Sequence, residues 1–258
     1  MSNKSKLLNK EQAAKILAPH YAKADTYMTR VLWVHAGIGL FLAIFYNTWV
    51  LAIAIGALSL IAWYGIKALL PEGNLHRYIA STMLGVFVGL FIYQMHGMFE
   101  MHFFAFISAA ILIIYQDWKM QVPLISFVVG HHAIFAYAQF AGVPDVYFTQ
   151  LQYMDLQTFI FHAVLAAAIV LICGKWSHSF RINTLNDAVT KLQLRASNKK
   201  MADMNKALNR ARTELKEKND ELNISNEALN QQNDELIATT QKQIEINAKL
   251  TNIDWKLF

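Results

Sequence analysis

The sequence contains few charged residues for its length. Asp, Glu, Lys and Arg make up 16% of its 258 residues, whereas ordinary soluble domains carry about 25%. Hydrophobic residues make up 55% of the chain, and the mean hydropathy is +0.26. This balance excludes a disordered chain and argues against a soluble globular protein.

Cysteine, proline and glycine are also scarce. The single cysteine, Cys173, has no partner for an internal disulfide, so no oxidative scaffold is implied. Four prolines and eleven glycines exclude a loop-rich or collagen-like chain. The net charge is +5, but the basic residues are not clustered as nucleic-acid binding requires. We therefore expect a mostly helical chain whose helices largely face lipid.

Composition divides the sequence into three parts. Residues 1–27 form a basic amphipathic N-terminal segment, which lacks the apolar core and cleavage site of a secretory signal peptide. Residues 28–176 are almost continuously apolar, and residues 177–258 are polar with a seven-residue apolar repeat. We predict a surface-lying or bundle-packed first segment, a membrane-spanning domain and a polar C-terminal helix.

Turn residues divide the apolar part into six predicted membrane spans. Each has roughly 18–22 residues, the length that crosses a hydrocarbon core of about 30 Å as an α-helix. The spans are 28–46, 49–70, 76–96, 98–115, 120–140 and 156–176. The predicted fold is an all-α membrane protein in which a six-helix transmembrane bundle continues into a parallel cytoplasmic coiled coil.

Lys and Arg fall on only one side of these spans. The N-terminal segment, the 67–77 region, Lys119 and the 175–181 region are basic, whereas the opposite connections contain no Lys or Arg. The positive-inside rule then places both termini in the cytoplasm, which requires an even number of spans. Four tryptophans near the predicted interfaces are expected to anchor the helices there: Trp33, Trp49, Trp118 and Trp176.

Histidine is frequent within the predicted spans. Ionisable groups at membrane depth are costly, and those that persist usually face the bundle interior and carry function. Each histidine alone could simply hydrogen-bond a neighbouring helix, but six of the nine lie in the spans together with one acid, Glu100. The six are His35, His96, His102, His131, His132 and His162. Their number favours a shared cofactor site.

Imidazole ligands suit copper, zinc, iron and nickel, and a set with few carboxylates favours copper. Six histidines supply three ligands to each of two copper ions, so a dinuclear copper site is the preferred interpretation. Haem b with two axial histidines and non-haem iron remain alternatives. Glu100 would orient an imidazole or act as an occasional ligand. His131 and His132 project about 100° apart on a helix, so they share one target only if there are two centres or a local distortion.

The loop 142–155 is the longest connection of the apolar part. It contains aromatic and acidic residues that form either a lid over the outer mouth of the bundle or an ordinary solvated loop. These residues are Asp145, Tyr147, Tyr153 and Asp155.

The polar C-terminal part carries a regular heptad pattern. Its d positions are Met201, Leu208, Leu215, Leu222, Leu229 and Leu236, and its a positions include Asn205, Asn219, Asn226 and Asn233. Leucine at d with recurring asparagine at a is typical of a parallel two-stranded coiled coil of modest stability. A solvated single helix is the alternative. A weak core suits a helix that shifts between states, so we predict that Asn219, Asn226 and Asn233 take part in signal transmission.

Three short motifs resemble a known family. The stretch 96–104 has the pattern H-G-x-x-E-x-H-F, 115–118 reads Y-x-D-W, and 131–132 is a histidine pair. In this order they resemble the six-transmembrane-helix bacterial sensory module found ahead of methyl-accepting chemotaxis, diguanylate cyclase and histidine kinase output domains. The resemblance covers roughly residues 28–176. It implies signal reception inside the bacterial cytoplasmic (inner) membrane at a redox-active metal, with the histidines and Glu100 as the family's polar cluster.

Two functions follow from these patterns. The preferred one is a chemoreceptor-like sensor that detects oxygen, redox state or an electron carrier at the metal site and transmits the change through the last span to a dimeric coil. No output domain is recognisable before Phe258, so we expect no enzymatic activity and either a piece of a longer receptor or a separate cytoplasmic partner. The alternative is a membrane redox enzyme or electron-transfer protein that holds haem b or a metal. The expected partners are a second copy of the chain, the bilayer and the signalling output, and no nucleic acid.

Overall fold

The computed structural model describes residues 8–71, 73–151 and 156–254, and the regular structure within these ranges is helical. This confirms the predicted all-α class. The α-helices are α1 (Lys10–Tyr46), α2 (Trp49–Leu69), α3 (Leu75–Gln94), α4 (Phe103–Ile111), α5 (Gln121–Phe140) and α6 (Leu156–Asp254). Short 3-10 helices span Phe99–His102, Leu112–Tyr115 and Trp118–Met120.

Five of the described helices are long and apolar enough to cross a membrane, as judged by length and composition. They are Lys10–Tyr46, Trp49–Leu69, Leu75–Gln94, Trp118–Phe140 and Gln157–Thr251, and Phe99–Tyr115 is a shorter apolar helix. These helices are consistent with the predicted membrane protein. The fourth predicted span is not one regular α-helix, because 3-10 helices lie on both sides of α4.

Helix α1 is longer than the predicted first span. It begins with a capping box in which the Asn9 side chain accepts from the backbone N–H of Gln12 and the Gln12 side chain accepts from that of Asn9. Pro19 lies inside the helix without ending it, and Asn47 ends it in the left-handed conformation. The described part of the basic N-terminal segment is thus the first half of α1; its residues 1–7 lie outside the described residues.

Helix α3 is the most enclosed of the membrane-type helices and packs against α1, α2 and α5. It carries glycines one turn apart, Gly85 and Gly89, on the face toward α5. A β-carbon on Gly85 would lie 3.0 Å from the Phe127 ring, and one on Gly89 would lie 2.9 Å from the His131 ring. Glycines at this spacing let two membrane helices approach closely, and here they admit aromatic side chains of α5 against the α3 backbone.

A buried ion pair joins α1 to α3 just before the apolar stretch of α1 begins. Both carboxylate oxygens of Asp25 accept from the Arg77 guanidinium at 3.0 Å. The Asp25 carboxylate also lies 3.2 Å from Nε2 of His76. The Arg77 guanidinium lies 4.5 Å from the centre of the Tyr21 ring, and Tyr21 accepts a hydrogen bond from Arg181 of α6. These polar contacts link three helices at the end of the bundle that is rich in Lys and Arg.

The chain divides into two compact units, Met1–Thr190 and Lys191–Phe258. Helix α6 contributes its first part to the first unit and its remainder to the second. In the first unit, only 6% of the most apolar stretch of α6 is buried. In the second unit, the described side chains are all exposed, including every predicted d-position residue of the heptad pattern.

Candidate functional site

Three of the predicted imidazoles meet in the first unit. His102 ends a 3-10 helix, His132 lies in α5, and His162 lies in α6. The centre of the His102 ring is 5.4 Å from that of His132 and 6.3 Å from that of His162, and the last two rings are 6.1 Å apart. His102 is buried, and the other two are half-buried. We call these residues the histidine trio.

His131 lies beside the trio but faces another direction. Its ring is 5.7 Å from that of His132, yet it stacks on Phe135 at 4.2 Å and lies against Gly89 of α3. The two adjacent histidines therefore diverge, as the helical offset between neighbouring residues requires.

The 142–151 part of the long loop covers the trio. Phe148 is buried, and its ring centre lies 5.5 Å from that of His102 and 5.0 Å from that of His132. Gln139 holds this part of the loop, because its side-chain oxygen accepts from the backbone N–H groups of Phe148 and Thr149. Its amide nitrogen donates to the Thr149 carbonyl at 2.7 Å. This part of the loop therefore covers the trio as a lid would, and Tyr153 and Asp155 of the predicted lid lie outside the described residues.

His96 has different neighbours from the trio. In the described part of the chain, its ring stacks between Tyr46 at 3.7 Å and Tyr147 at 3.9 Å. Its backbone is in the left-handed region with φ of 50°, next to Gly97 with φ of 75°. A predicted lid residue, Tyr147, therefore contacts a predicted ligand, but this contact is aromatic stacking.

His35 is also separate from the trio. It is buried among Phe87, Phe91 and Phe104, with ring centres 5.6–6.3 Å away. Its Nδ1 bonds to the Val31 carbonyl at 2.9 Å, and its buried Nε2 makes no hydrogen bond to any described residue. Glu100 is exposed in the same 3-10 helix as His102. The proposed ligand roles of His35, His96 and Glu100 stay predictions.

The imidazoles of the site offer nitrogens to a ligand that accepts lone pairs. The buried Nδ1 of His131 makes no hydrogen bond within the described ranges, whereas the rings of His102 and His132 interact with nearby backbone groups without forming hydrogen bonds of ordinary geometry at Nδ1. Buried polar atoms are rarely left unpaired, and neutral imidazole nitrogens are good ligands for transition metals. The donor chemistry of the trio therefore fits a metal ion.

The three rings of the trio lie farther apart than imidazoles that bind one metal ion together. Two imidazoles bound to one ion at about 2.0–2.1 Å have ring centres about 5 Å apart. Among the residues that the structure describes, no group of three or more His, Cys, Asp or Glu side chains is placed to hold a metal ion. The trio brings the right chemistry together without forming a finished site.

Sequence analysis missed two residues of this site, Phe148 and Gln139. Phe148 follows Tyr147 in a loop that contains few other aromatic residues, so its aromatic character was an available signal. Gln139 carried no signal, because its function depends on a loop backbone that returns to the end of α5.

No family model, curated protein or solved structure matches this chain in comparisons with known proteins.

Proposed function

We propose that this chain is a membrane-embedded sensor in which the histidine trio, with His131 beside it, holds a transition metal. The observation that carries the proposal is that imidazoles from three separate elements lie within 6.3 Å of one another. Copper is the preferred metal because the nearby donors are imidazoles. Bound copper would supply a one-electron change of charge at this position. A pair of ions would also recruit His35 and His96.

The proposed membrane domain has six spans. The segment Phe99–Tyr115 has only 17 residues. Its 3-10 portions rise about 2.0 Å per residue instead of 1.5 Å, so the segment reaches about 30 Å, the thickness of the hydrocarbon core. With six spans, the distribution of Lys and Arg orients both termini toward the cytoplasm of a bacterial inner membrane.

The surroundings of the trio suit a sheltered sensing site. Phe148 covers the rings, and Gln139 fixes the backbone that carries Phe148. Exclusion of water strengthens electrostatic interactions inside the site. A change of charge at the trio would therefore act strongly on the nearest dipoles and side chains.

His162 is the proposed connection between sensing and output. It belongs to α6, whose most apolar stretch is only 6% buried. Because the apolar part of α6 packs so little against the bundle, a bond to His162 would account for a large part of what holds that part of the helix in place. A ligand biases such an equilibrium only through different affinities for the two states, which a redox-dependent bond to His162 would provide.

The proposed output is a parallel homodimer formed by the heptad residues of α6. Leucines at the d positions are exposed in the single chain, and a second copy of the chain would cover them. Asn219, Asn226 and Asn233 at the a positions keep this core weak, so a small shift of α6 is sufficient to change it. A cytoplasmic signalling domain or protein would read the coil.

A distance measurement between two spin labels tests the coupling. We would label Thr213→Cys in a Cys173→Ala background in nanodiscs and measure the distance between the labels of a dimer in oxidised and reduced protein. We expect a redox-dependent change that His162→Ala abolishes and that Leu165→Ala, at an exposed residue of the same helix, leaves intact.

An unchanged label distance in wild-type protein that still cycles between redox states would overturn the sensor proposal. Such a result would favour the alternative, a membrane redox enzyme or electron-transfer protein with haem b or a metal. A strong Soret band would identify the haem.

A further inference from the structure

A second polar site lies at the Lys- and Arg-rich end of the first unit. A cavity of about 260 Å³ opens between the turn 116–119 and α6. It is lined by Gln116, Asp117, Trp118, Lys119, His178 and Arg181. None of these residues belongs to the histidine trio, so the cavity requires an explanation of its own.

The lining combines hydrogen-bond acceptors and cationic donors. Asp117 uses Oδ1 to accept from the Lys119 backbone N–H at 3.1 Å, so its second carboxylate oxygen remains for another donor. Lys119, His178 and Arg181 supply N–H donors on the remaining lining. A ligand with both a positive N–H group and a negative oxygen group matches this set.

The position of the cavity corresponds to the membrane–water interface. Trp118 lines it and is half exposed, and Trp176 on the adjoining turn of α6 is exposed as well. Tryptophan is enriched at the level of lipid headgroups. A β-carbon added to Gly174 would lie 3.8 Å from Trp118, so the tryptophan lies directly beside α6. Basic pockets next to membrane helices at this level are typical of headgroup binding.

We propose that this cavity binds the headgroup of a phospholipid that carries a phosphate and a primary ammonium, as in phosphatidylethanolamine. Lys119, Arg181 and His178 bind the phosphate oxygens. The ammonium donates to Asp117, beside the Trp118 ring, which also attracts cations. A choline headgroup lacks N–H donors for this carboxylate, and a glycerol headgroup lacks the positive charge that pairs with Asp117.

The bound headgroup touches a residue that ties α6 to α1. Arg181 donates to the Tyr21 hydroxyl at 2.9 Å, and the Tyr21 ring lies against Arg77. A phosphate on Arg181 would share this guanidinium with Tyr21. The lipid would thus fix the position of α6 at the interface independently of any metal at the trio.

Native mass spectrometry of the full chain tests this site. The protein would be released from nanodiscs that contain equal parts of phosphatidylethanolamine, phosphatidylcholine and phosphatidylglycerol. We expect wild-type protein to retain phosphatidylethanolamine preferentially. Lys119→Gln should lower that retention about tenfold, the effect of losing one charge-assisted hydrogen bond, and Asp117→Asn should abolish the preference over phosphatidylcholine.

Lys67→Gln is the matched control, because Lys67 is a basic residue at the same end of the bundle that lies over Trp63 instead of lining the cavity. It should retain the lipid like the wild type. Equal retention of all three lipids, or equal losses in Lys119→Gln and Lys67→Gln, would overturn the proposal. Displacement of the lipid by equimolar free phosphoethanolamine would overturn a membrane lipid as the occupant.

Discussion

The imidazole of His131 lies directly against the backbone of Gly89. A β-carbon at position 89 would come within 2.9 Å of Cδ2 and 3.0 Å of Nε2 of that ring. The absence of a side chain at Gly89 therefore allows α5 to bring His131, and with it the neighbouring His132, to its present depth beside α3. The geometry of the histidine trio thus depends on a glycine that carries no chemistry.

Gly89→Ala should destabilise the protein by about 1–3 kcal/mol, because the added methyl overpacks the contact with His131. Gly130→Ala is the matched control, since no described atom lies within 4 Å of a β-carbon there. It should instead stabilise α5 by roughly 0.5–1 kcal/mol. Unfolding in mixed detergent micelles, monitored by circular dichroism, measures the change in stability caused by each substitution. Equal effects of the two substitutions would contradict the packing described for His131.

Gly97→Ala should open the lid over the trio. Gly97 has φ of 75°, and its β-carbon would lie 2.6 Å from the Thr149 backbone nitrogen. Gly142 also has a positive φ, 78°, but open space around it in the described part of the chain. Both substitutions strain the backbone, by about 1–2 kcal/mol, and only Gly97→Ala adds the clash. We expect faster hydrogen exchange at 147–149 in Gly97→Ala than in Gly142→Ala; similar rates would contradict the close approach.

Asp25→Asn should destabilise the first unit by about 3–5 kcal/mol, because it leaves the largely buried Arg77 guanidinium without its counter-charge. Glu11→Gln removes an exposed partner of Lys15 and should change stability by less than about 0.5 kcal/mol. Denaturant unfolding of the two variants gives the comparison. A small effect of Asp25→Asn would show that the pair contributes little.

The Asp25 carboxylate makes the free energy of unfolding depend on pH. Burial alone would raise the pKa of Asp25, but its hydrogen bonds and charge interactions with Arg77 and His76 outweigh burial and lower the pKa below the ordinary 3.8. The folded state thus binds this proton less readily than the unfolded state, so the stabilisation is complete above about pH 4 and is lost as the pH falls through the lowered pKa. Wild-type stability should therefore fall more steeply on acidification than that of Asp25→Asn. Parallel pH profiles would contradict this assignment.

Replacing Asn219, Asn226 and Asn233 together by leucine should stabilise the proposed coiled coil and lock its output, because buried asparagine at a positions lowers stability. Gln231→Leu, at an f position that faces away from the partner helix, is the control and should leave the dimer unchanged. Thermal unfolding of the coil and the spin-label distance measure the two effects. A triple variant that still responds to redox state would contradict a signalling function for these asparagines.

The sequence predicts helices and their ends better than it predicts the site. The apolar runs locate most helices, and Asn47 ends α1 where a turn was expected. Besides the fourth span with its 3-10 ends, α1 differs markedly, because Pro19 lies inside it and the composition boundary at 27–28 is not a helix boundary. Composition changes at 27–28 because charged residues become rarer there, but the helical hydrogen bonds of the backbone continue across this position.

Which histidines meet could not be predicted from spacing alone. His35 and His102 both occupy buried positions, yet His35 lies among phenylalanines of α3 and α4 while His102 faces His132. The rotation of each helix about its axis decides this difference, and close contacts such as that between Gly85 and Phe127 fix the rotation. A single sequence reveals which residues are buried more readily than which partners they meet.

The metal content of the purified protein tests the central claim most directly. We expect near-stoichiometric transition metal, with copper as the preferred element, in protein prepared without chelators. His102→Ala, His132→Ala and His162→Ala should each remove much of it, whereas His178→Ala should retain it. Native protein that is folded and free of metal, or metal retained in all three trio variants, would contradict the account.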